Sequence, residues 1–173
     1  MHIRPATPDD LPALHAVIER AYRGDSARQG WTFEADLLTG PRTDLAELQS
    51  LLDDPAQALL MATGPDGQPI GSVVVANLGD GIAYLGMLSI EPTLQAAGLG
   101  RRLIAAAEDH AVHHFGARTM EMTVIDARAE LIAYYQRRGY VLTGETRPFP
   151  LLTDPPLSMV VLAKSLAAPA HLG

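Results

Sequence analysis

The sequence contains no cysteine, which excludes a disulfide framework and any thiol nucleophile. Basic residues are outnumbered: 13 Lys and Arg stand against 20 Asp and Glu, for a formal net charge of -7. That balance argues against a nucleic-acid or anionic-membrane partner, although a local basic patch could still hold an anion. It is compatible with a cationic amine substrate. No apolar run reaches membrane-spanning length, and the N-terminus lacks the apolar region of a signal peptide. A soluble, cytoplasmic protein is expected. Aromatics are few, at 5% of residues with a single tryptophan, yet 47% of the chain is hydrophobic, which argues against disorder. A length of 173 residues suits one domain, 1–173, with a sizeable core.

The chain is organised around the stretch from Leu88 to Glu108. An apolar run, Ala83 to Ile90, reads as a strand, and Leu103, Ile104, Ala107 and Ala111 give a helix an apolar face. Between them lie Gln95, Gly98 and Gly100 in a short turn. Glycine lets a ligand approach the main chain closely, and the first N–H groups of the following helix have no internal partners. Such a turn is a natural seat for a phosphate, and Arg101 and Arg102 add positive charge there. An ordinary glycine turn before a surface helix is the bland alternative. A dinucleotide fingerprint fails because Leu103 stands where the third glycine belongs, and no Lys-Ser/Thr follows Gly100 as a triphosphate loop requires.

Gln95-Ala96-Ala97-Gly98-Leu99-Gly100-Arg101 resembles the acyl-CoA signature of the GNAT superfamily of N-acetyltransferases, Gln/Arg-x-x-Gly-x-Gly/Ala. The resemblance implies that this turn cradles the pyrophosphate of acetyl-CoA. It also implies an α+β fold: a mixed, mostly antiparallel sheet with splayed central strands and helices on both faces. Gly86 interrupts the central strand, and glycine there often marks a bulge or a close ligand approach. In the family this strand bulges away from its neighbour and pantetheine lies in the gap. Carried over, the main chain at Leu88, Ser89 and Ile90 would bind pantetheine and the acetyl carbonyl, Leu88 offering an N–H to the developing oxyanion.

The remaining segments supply the neighbours. Met1 to Arg4 reads as a strand, and Thr7-Pro-Asp-Asp10 as a helix start with Thr7 as N-cap and Asp10 completing a capping box. Leu11, Leu14, Val17, Ile18 and Ala21 mark that helix's apolar face, and Leu45 to Leu52 mark another helix. Gln57–Ala62, Ile70–Ala76 and Ala83–Ile90 form an antiparallel meander, with Gly64-Pro-Asp-Gly67 as a turn. Thr119–Ile125 alternates as a strand, Asp126 caps a helix from Ala127 to Arg138, and a strand begins at Tyr140. Thr143 to Pro156 reads as a proline-rich loop that includes Arg147 and Phe149, and Leu157–Ala163 as the final strand. His110, His113 and His114 share a helix but no third ligand type, and read as surface residues rather than a metal site.

Leu131-Ile-Ala-Tyr-Tyr135-Gln-Arg-Arg-Gly139-Tyr140 resembles the family's second conserved region, in which the tyrosine stands four residues before the glycine. The resemblance implies that Tyr135 binds the cosubstrate and protonates the leaving CoA thiolate, with Tyr134 as the alternative. Arg128 stands where the family commonly has Asn, and is a candidate for a CoA phosphate contact. Leu131 replaces a usual small residue. The general base is open among Glu34, Glu91, Glu121 and Asp126, or water. Glu34 belongs to the segment that forms the acceptor wall in the family, with Arg28, Trp31 and Phe33, though Trp31 and Phe33 read equally as core and Glu34 as solvent-facing. The expected activity is transfer of an acetyl group to an amine by direct attack on the thioester, the amine being a small molecule or part of a peptide. A non-catalytic acyl-CoA-binding or sensing domain is the alternative. A homodimer is compatible with either.

Overall fold

The computed structural model describes residues 2–28, 43–148 and 157–166, with side chains throughout except at 23–28 and 95–97. Its strands are β1 (His2–Pro5), β2 (Gln57–Thr63), β3 (Pro69–Gly79), β4 (Ile82–Ile90), β5 (Thr119–Ile125), β6 (Val141–Pro148) and β7 (Ser158–Ser165). Its α-helices are α1 (Leu11–Arg28), α2 (Leu45–Asp53), α3 (Leu99–Phe115) and α4 (Ala129–Arg137). The strands form one sheet in the order β1-β2-β3-β4-β5-β7-β6. Every pairing is antiparallel except β4 with β5. The expected mixed, mostly antiparallel α+β sheet is therefore what the chain builds.

Two apolar layers cover the sheet. On one face Leu11, Leu14 and Ile18 of α1 and Leu48 of α2 pack on Leu59, Met61 and Val74. On the other, Leu103, Ile104, Ala107 and Ala111 of α3 and Tyr135 of α4 meet Leu60, Val73, Val75, Ala83, Leu85, Met120, Met122 and Leu162. Alternation along β5 produces this division: Met120, Met122 and Val124 are buried under α3, while Glu121, Thr123 and Ile125 point to the α1 side.

The helix starts show how side chains fix the layers. A 3-10 turn, Pro8–Asp10, leads directly into α1. The Asp10 carboxylate accepts from the Thr7 amide (2.8 Å), the Thr7 hydroxyl (2.9 Å) and Arg4 of β1 (2.8 and 3.0 Å). Asp44 caps α2 by accepting from the Glu47 amide at 2.8 Å. Buried Tyr140 donates to Glu108 of α3 at 2.9 Å, and Lys164 of β7 donates to the same carboxylate at 3.0 and 3.1 Å. Burial, then the Glu108 charge, pushes the Tyr140 phenol far above its ordinary pKa, so it remains a neutral donor.

Two segments differ from expectation. Asp126 does not cap α4: its amide donates to Ser158 of β7 at 2.8 Å, which keeps it in sheet register. The helix starts only after the turn that follows, with Arg128 as N-cap. Nor is 143–148 a loop. It belongs to β6, where Thr146, Arg147 and Pro148 pair with Val160, Met159 and Ser158. An edge strand accommodates Pro148, and the irregularity between Leu142 and Thr146 absorbs Gly144 at φ 89°. Phe149 lies outside the described residues.

Candidate functional site

The two central strands part company. β4 and β5 pair only at Ile82–Thr119, Ala83–Met120 and Tyr84–Glu121. Beyond that, β4 stays bound to β3 as far as Ile90–Gly71, while β5 stays bound to β7 as far as Ile125–Met159. A V-shaped gap therefore opens between 85–90 and 122–125, its inner main-chain edges without ladder partners from each other. Such edges are available to a ligand's polar groups.

A bulge bends β4 at this point. Gly86 lies opposite Val74 and Ser89 opposite Ser72, so Met87 and Leu88 together face Val73. The residue in the left-handed region is Met87, at φ 48°, rather than the neighbouring Gly86. Its side chain packs toward α1 and α2, while Leu88 and Ile90 pack toward α3. Ser89 is buried, and its hydroxyl donates to the Met87 carbonyl at 3.3 Å.

The open end of the gap meets the glycine turn. Gln95, Ala96 and Ala97 close a 3-10 helix, Pro92–Ala97, and Gly98 at φ 76° serves as N-cap of α3 without any side-chain cap. The first amides of this 17-residue helix thus have no side-chain acceptor at Gly98. Leu99 and Gly100 are buried, and Arg101 and Arg102 are exposed beside them. A β-carbon on Gly100 would stand 2.8 Å from the Tyr134 hydroxyl and 2.9 Å from Ile90 Cδ1. Tyr134 of α4 and Ile90 of β4 therefore converge on the turn.

Of the two adjacent tyrosines, Tyr135 is buried, with ring centroids 5.4 Å from Tyr134 and 6.1 Å from Tyr140. Tyr134 is half-buried, lies under the Arg138 guanidinium at 4.9 Å and places its hydroxyl against Gly100. Arg128, half-buried at the start of α4, is the last of the expected cosubstrate contacts.

The carboxylates expected as bases are distributed unevenly. Glu91, just after β4, forms a bidentate pair with Arg20 of α1 (2.7 to 3.3 Å). Glu121, opposite Tyr84 at the apex of the gap, is bound by Arg147 of β6 at 3.4 Å, and Arg147 also holds Glu145 at 3.0 Å. Asp126 is exposed. Trp31, Phe33 and Glu34 lie outside the described residues, as does the side chain of Arg28. Two features escape a reading of the sequence. Buried Glu19 accepts from the Thr43 amide at 3.1 Å, and Tyr84 and Thr123 share a hydrogen bond of 2.6 Å. Neither belongs to a contiguous motif, so only the fold reveals them. His110 stacks on His114 at 4.2 Å and meets Phe115 edge-on; burial, then His114, lowers its pKa. Among the described residues no group of three or more His, Cys, Asp or Glu is placed to hold a metal ion.

The profile of the acetyltransferase (GNAT) family matches residues 18–140, which span the α1 side, the gap, the glycine turn and α4. The chain belongs to this family. Solved structures with the same fold include a ribosomal-protein-S18-alanine N-acetyltransferase from Escherichia coli, at 19% identity and TM-score 0.74, covering 98% of this chain and 96% of that one. A ribosomal-protein-alanine N-acetyltransferase from Brucella melitensis matches at 20% identity and TM-score 0.73, covering 96% and 100%. A spermidine N-acetyltransferase mutant from Vibrio cholerae matches at 18% identity and TM-score 0.71, covering 96% and 95%. A sequence search among curated proteins finds no match. The GNAT fold is that of acetyl-CoA-dependent acyltransferases, and the residues present suit such a substrate. An uncapped helix start flanked by two arginines offers donors to a diphosphate. The V-shaped gap offers main-chain groups to an extended amide-containing arm.

Proposed function

We propose that the protein transfers the acetyl group of acetyl-CoA to a primary amine. The observation that carries this reading is the junction of the β4–β5 gap with the Gly98–Gly100 turn, which offers an anion seat and an unpaired strand edge side by side. The pyrophosphate takes the amides from Gln95 to Arg101, with Arg128 as a further phosphate contact. Pantetheine lies along Leu88, Ser89 and Ile90. Two reactants held together supply orientation, which is a large part of the work in such a transfer.

The amine nitrogen attacks the thioester carbonyl carbon, the carbonyl oxygen gains charge, and the Leu88 N–H stabilises it. The carbon–sulfur bond then breaks, Tyr135 gives its proton to the departing thiolate, the attacking nitrogen gives up its surplus proton to water, and the neutral amide leaves as Tyr135 is reprotonated from solvent. Before attack the acceptor's ammonium group releases its proton to water. Glu91 and Glu121 are already engaged by arginines, Glu91 by Arg20 and Glu121 by Arg147. Glu34 remains the candidate for a direct role in the acceptor wall. The similar structures act, by their names, on spermidine and on an alanine of a ribosomal protein, so both a small polyamine and a protein amine belong in the trial set.

The test is CoA release from acetyl-CoA across a mixed library of amines and peptides, together with acetyl-CoA binding, for the wild type and Tyr135→Phe. Acceptor-dependent release that falls by about a hundredfold in the variant, with binding retained, is expected. Equal turnover transfers the acid role to Tyr134 or water. Tight binding without turnover on any acceptor supports a sensing domain instead, and absence of binding overturns the reading.

A further inference from the structure

Side chains bridge the gap just beyond its last backbone pair. Tyr84 is the last β4 residue in the ladder with β5, opposite Glu121, and Thr123 lies two residues further along β5 on the same face. The Tyr84 hydroxyl and the Thr123 hydroxyl are 2.6 Å apart, a short hydrogen bond in a half-buried setting. To reach Thr123 the Tyr84 ring runs forward along its own strand. A β-carbon on Gly86 would stand only 3.2 Å from Tyr84 Cε1, so the glycine leaves the ring its path.

We infer that Tyr84 and Thr123 form a clasp that sets the width of the β4–β5 gap, and so act as positioning residues for the thioester substrate. This rests on the proposed acetyl-CoA site. Two parallel strand edges that face each other without partners have a standing tendency to extend their ladder, because each added bond satisfies a donor and an acceptor. Zipping beyond Tyr84–Glu121 would consume the edge that the substrate needs. The Met87 bulge bends β4 just beyond Tyr84, where the ladder with β5 stops. Opening in the other direction would break the hydroxyl pair. The hydroxyl pair therefore limits how far the gap opens, and the bulge marks where it begins, while the main chain of 85–90 stays available. Neither strand can compensate alone, since β3 and β7 hold their outer edges.

The test uses the full chain and acetyl-CoA itself. Tyr84→Phe, Thr123→Val, the double variant and Thr123→Ser are compared with wild type by titration calorimetry, with thermal melts to confirm folding. Tyr84→Phe keeps the ring and Thr123→Ser keeps the hydroxyl. Each of the first two is expected to weaken acetyl-CoA binding by about 3- to 10-fold. The double variant should lose no more than either single, because one bond is broken in all three, and Thr123→Ser should bind as wild type does. Wild-type affinity in Tyr84→Phe and Thr123→Val, or losses that add in the double variant, would overturn the clasp alone. If the wild type fails to bind acetyl-CoA, the clasp falls together with the cosubstrate site on which it rests.

Discussion

The hydroxyl of Tyr134 lies 2.8 Å from the point that a β-carbon on Gly100 would occupy, and Ile90 Cδ1 lies 2.9 Å from it on another side. A glycine in the first turn of a helix costs helical stability, so its presence needs a reason. Here the reason is convergence: α4 and the end of β4 both press on the start of α3, where the proposed anion seat lies.

Gly100→Ala should therefore weaken acetyl-CoA binding by at least about tenfold, because relief requires moving Tyr134 or the helix start. Tyr134→Phe removes the nearer obstacle, since the ring carbon that carried the hydroxyl is 3.8 Å away. Ile90 Cδ1 is the end of a flexible side chain and can yield. The double variant Gly100→Ala/Tyr134→Phe should accordingly recover much of the lost affinity. Calorimetry on the three proteins decides the matter; unchanged binding in Gly100→Ala would mean the turn is not the seat.

Met87 is a second place where geometry sets an unusual order of preference. Its φ of 48° costs a side-chain-bearing residue about 1–2 kcal/mol, which the bulge imposes. In an ordinary strand Gly is less stable than Ala by roughly 0.5–1 kcal/mol. At position 87 the order should reverse, with Met87→Gly equal to or more stable than Met87→Ala by up to about 1 kcal/mol. Urea unfolding of the two variants measures the difference directly. A glycine variant clearly less stable than the alanine one would show that the bulge is not strained at this residue.

How much of this was legible beforehand depends on the range of the interaction. Local signals match the structure: the capped start of α1, the β2–β3–β4 meander, the α3 face of Leu103, Ile104, Ala107 and Ala111, and β5 from Thr119 to Ile125. Each is written in consecutive residues by periodicity or by a turn. The roles assigned to the glycine turn and the tyrosine block rest on their resemblance to a family. What failed was set by partners distant in sequence. Asp126 has the chemistry of a helix cap, but Ser158 claims its amide. The prolines around 148 suggest a loop, but an edge strand tolerates a missing donor. Gly86 suggests the bulge, whereas the bulge places the positive φ one residue later and the glycine makes room for Tyr84. Tyr84 and Thr123 are 39 residues apart and meet only because the register brings them together.

The N-terminal cap gives a prediction in pH. The Arg4 guanidinium, then the Thr7 amide and hydroxyl, hold the Asp10 carboxyl well below its ordinary 3.8. A carboxylate with a depressed folded-state pKa contributes stability that is fully present above the unfolded value. As pH falls below about 3.8, the unfolded chain takes up a proton before the folded one does, and the contribution declines until the lowered pKa is passed. Asp10→Asn keeps the shape of the side chain but loses the charge on Arg4 and one acceptor oxygen. At neutral pH it should be less stable than wild type by on the order of 1 kcal/mol, as for loss of a helix cap. The gap between the two proteins should then narrow as pH is lowered from 5 towards about 2, wild type losing more than the variant. Thermal melts at several pH values test this. A constant difference across that range would mean that Asp10 titrates alike in both states, and that the Arg4 pairing tying β1 to the start of α1 contributes nothing through charge.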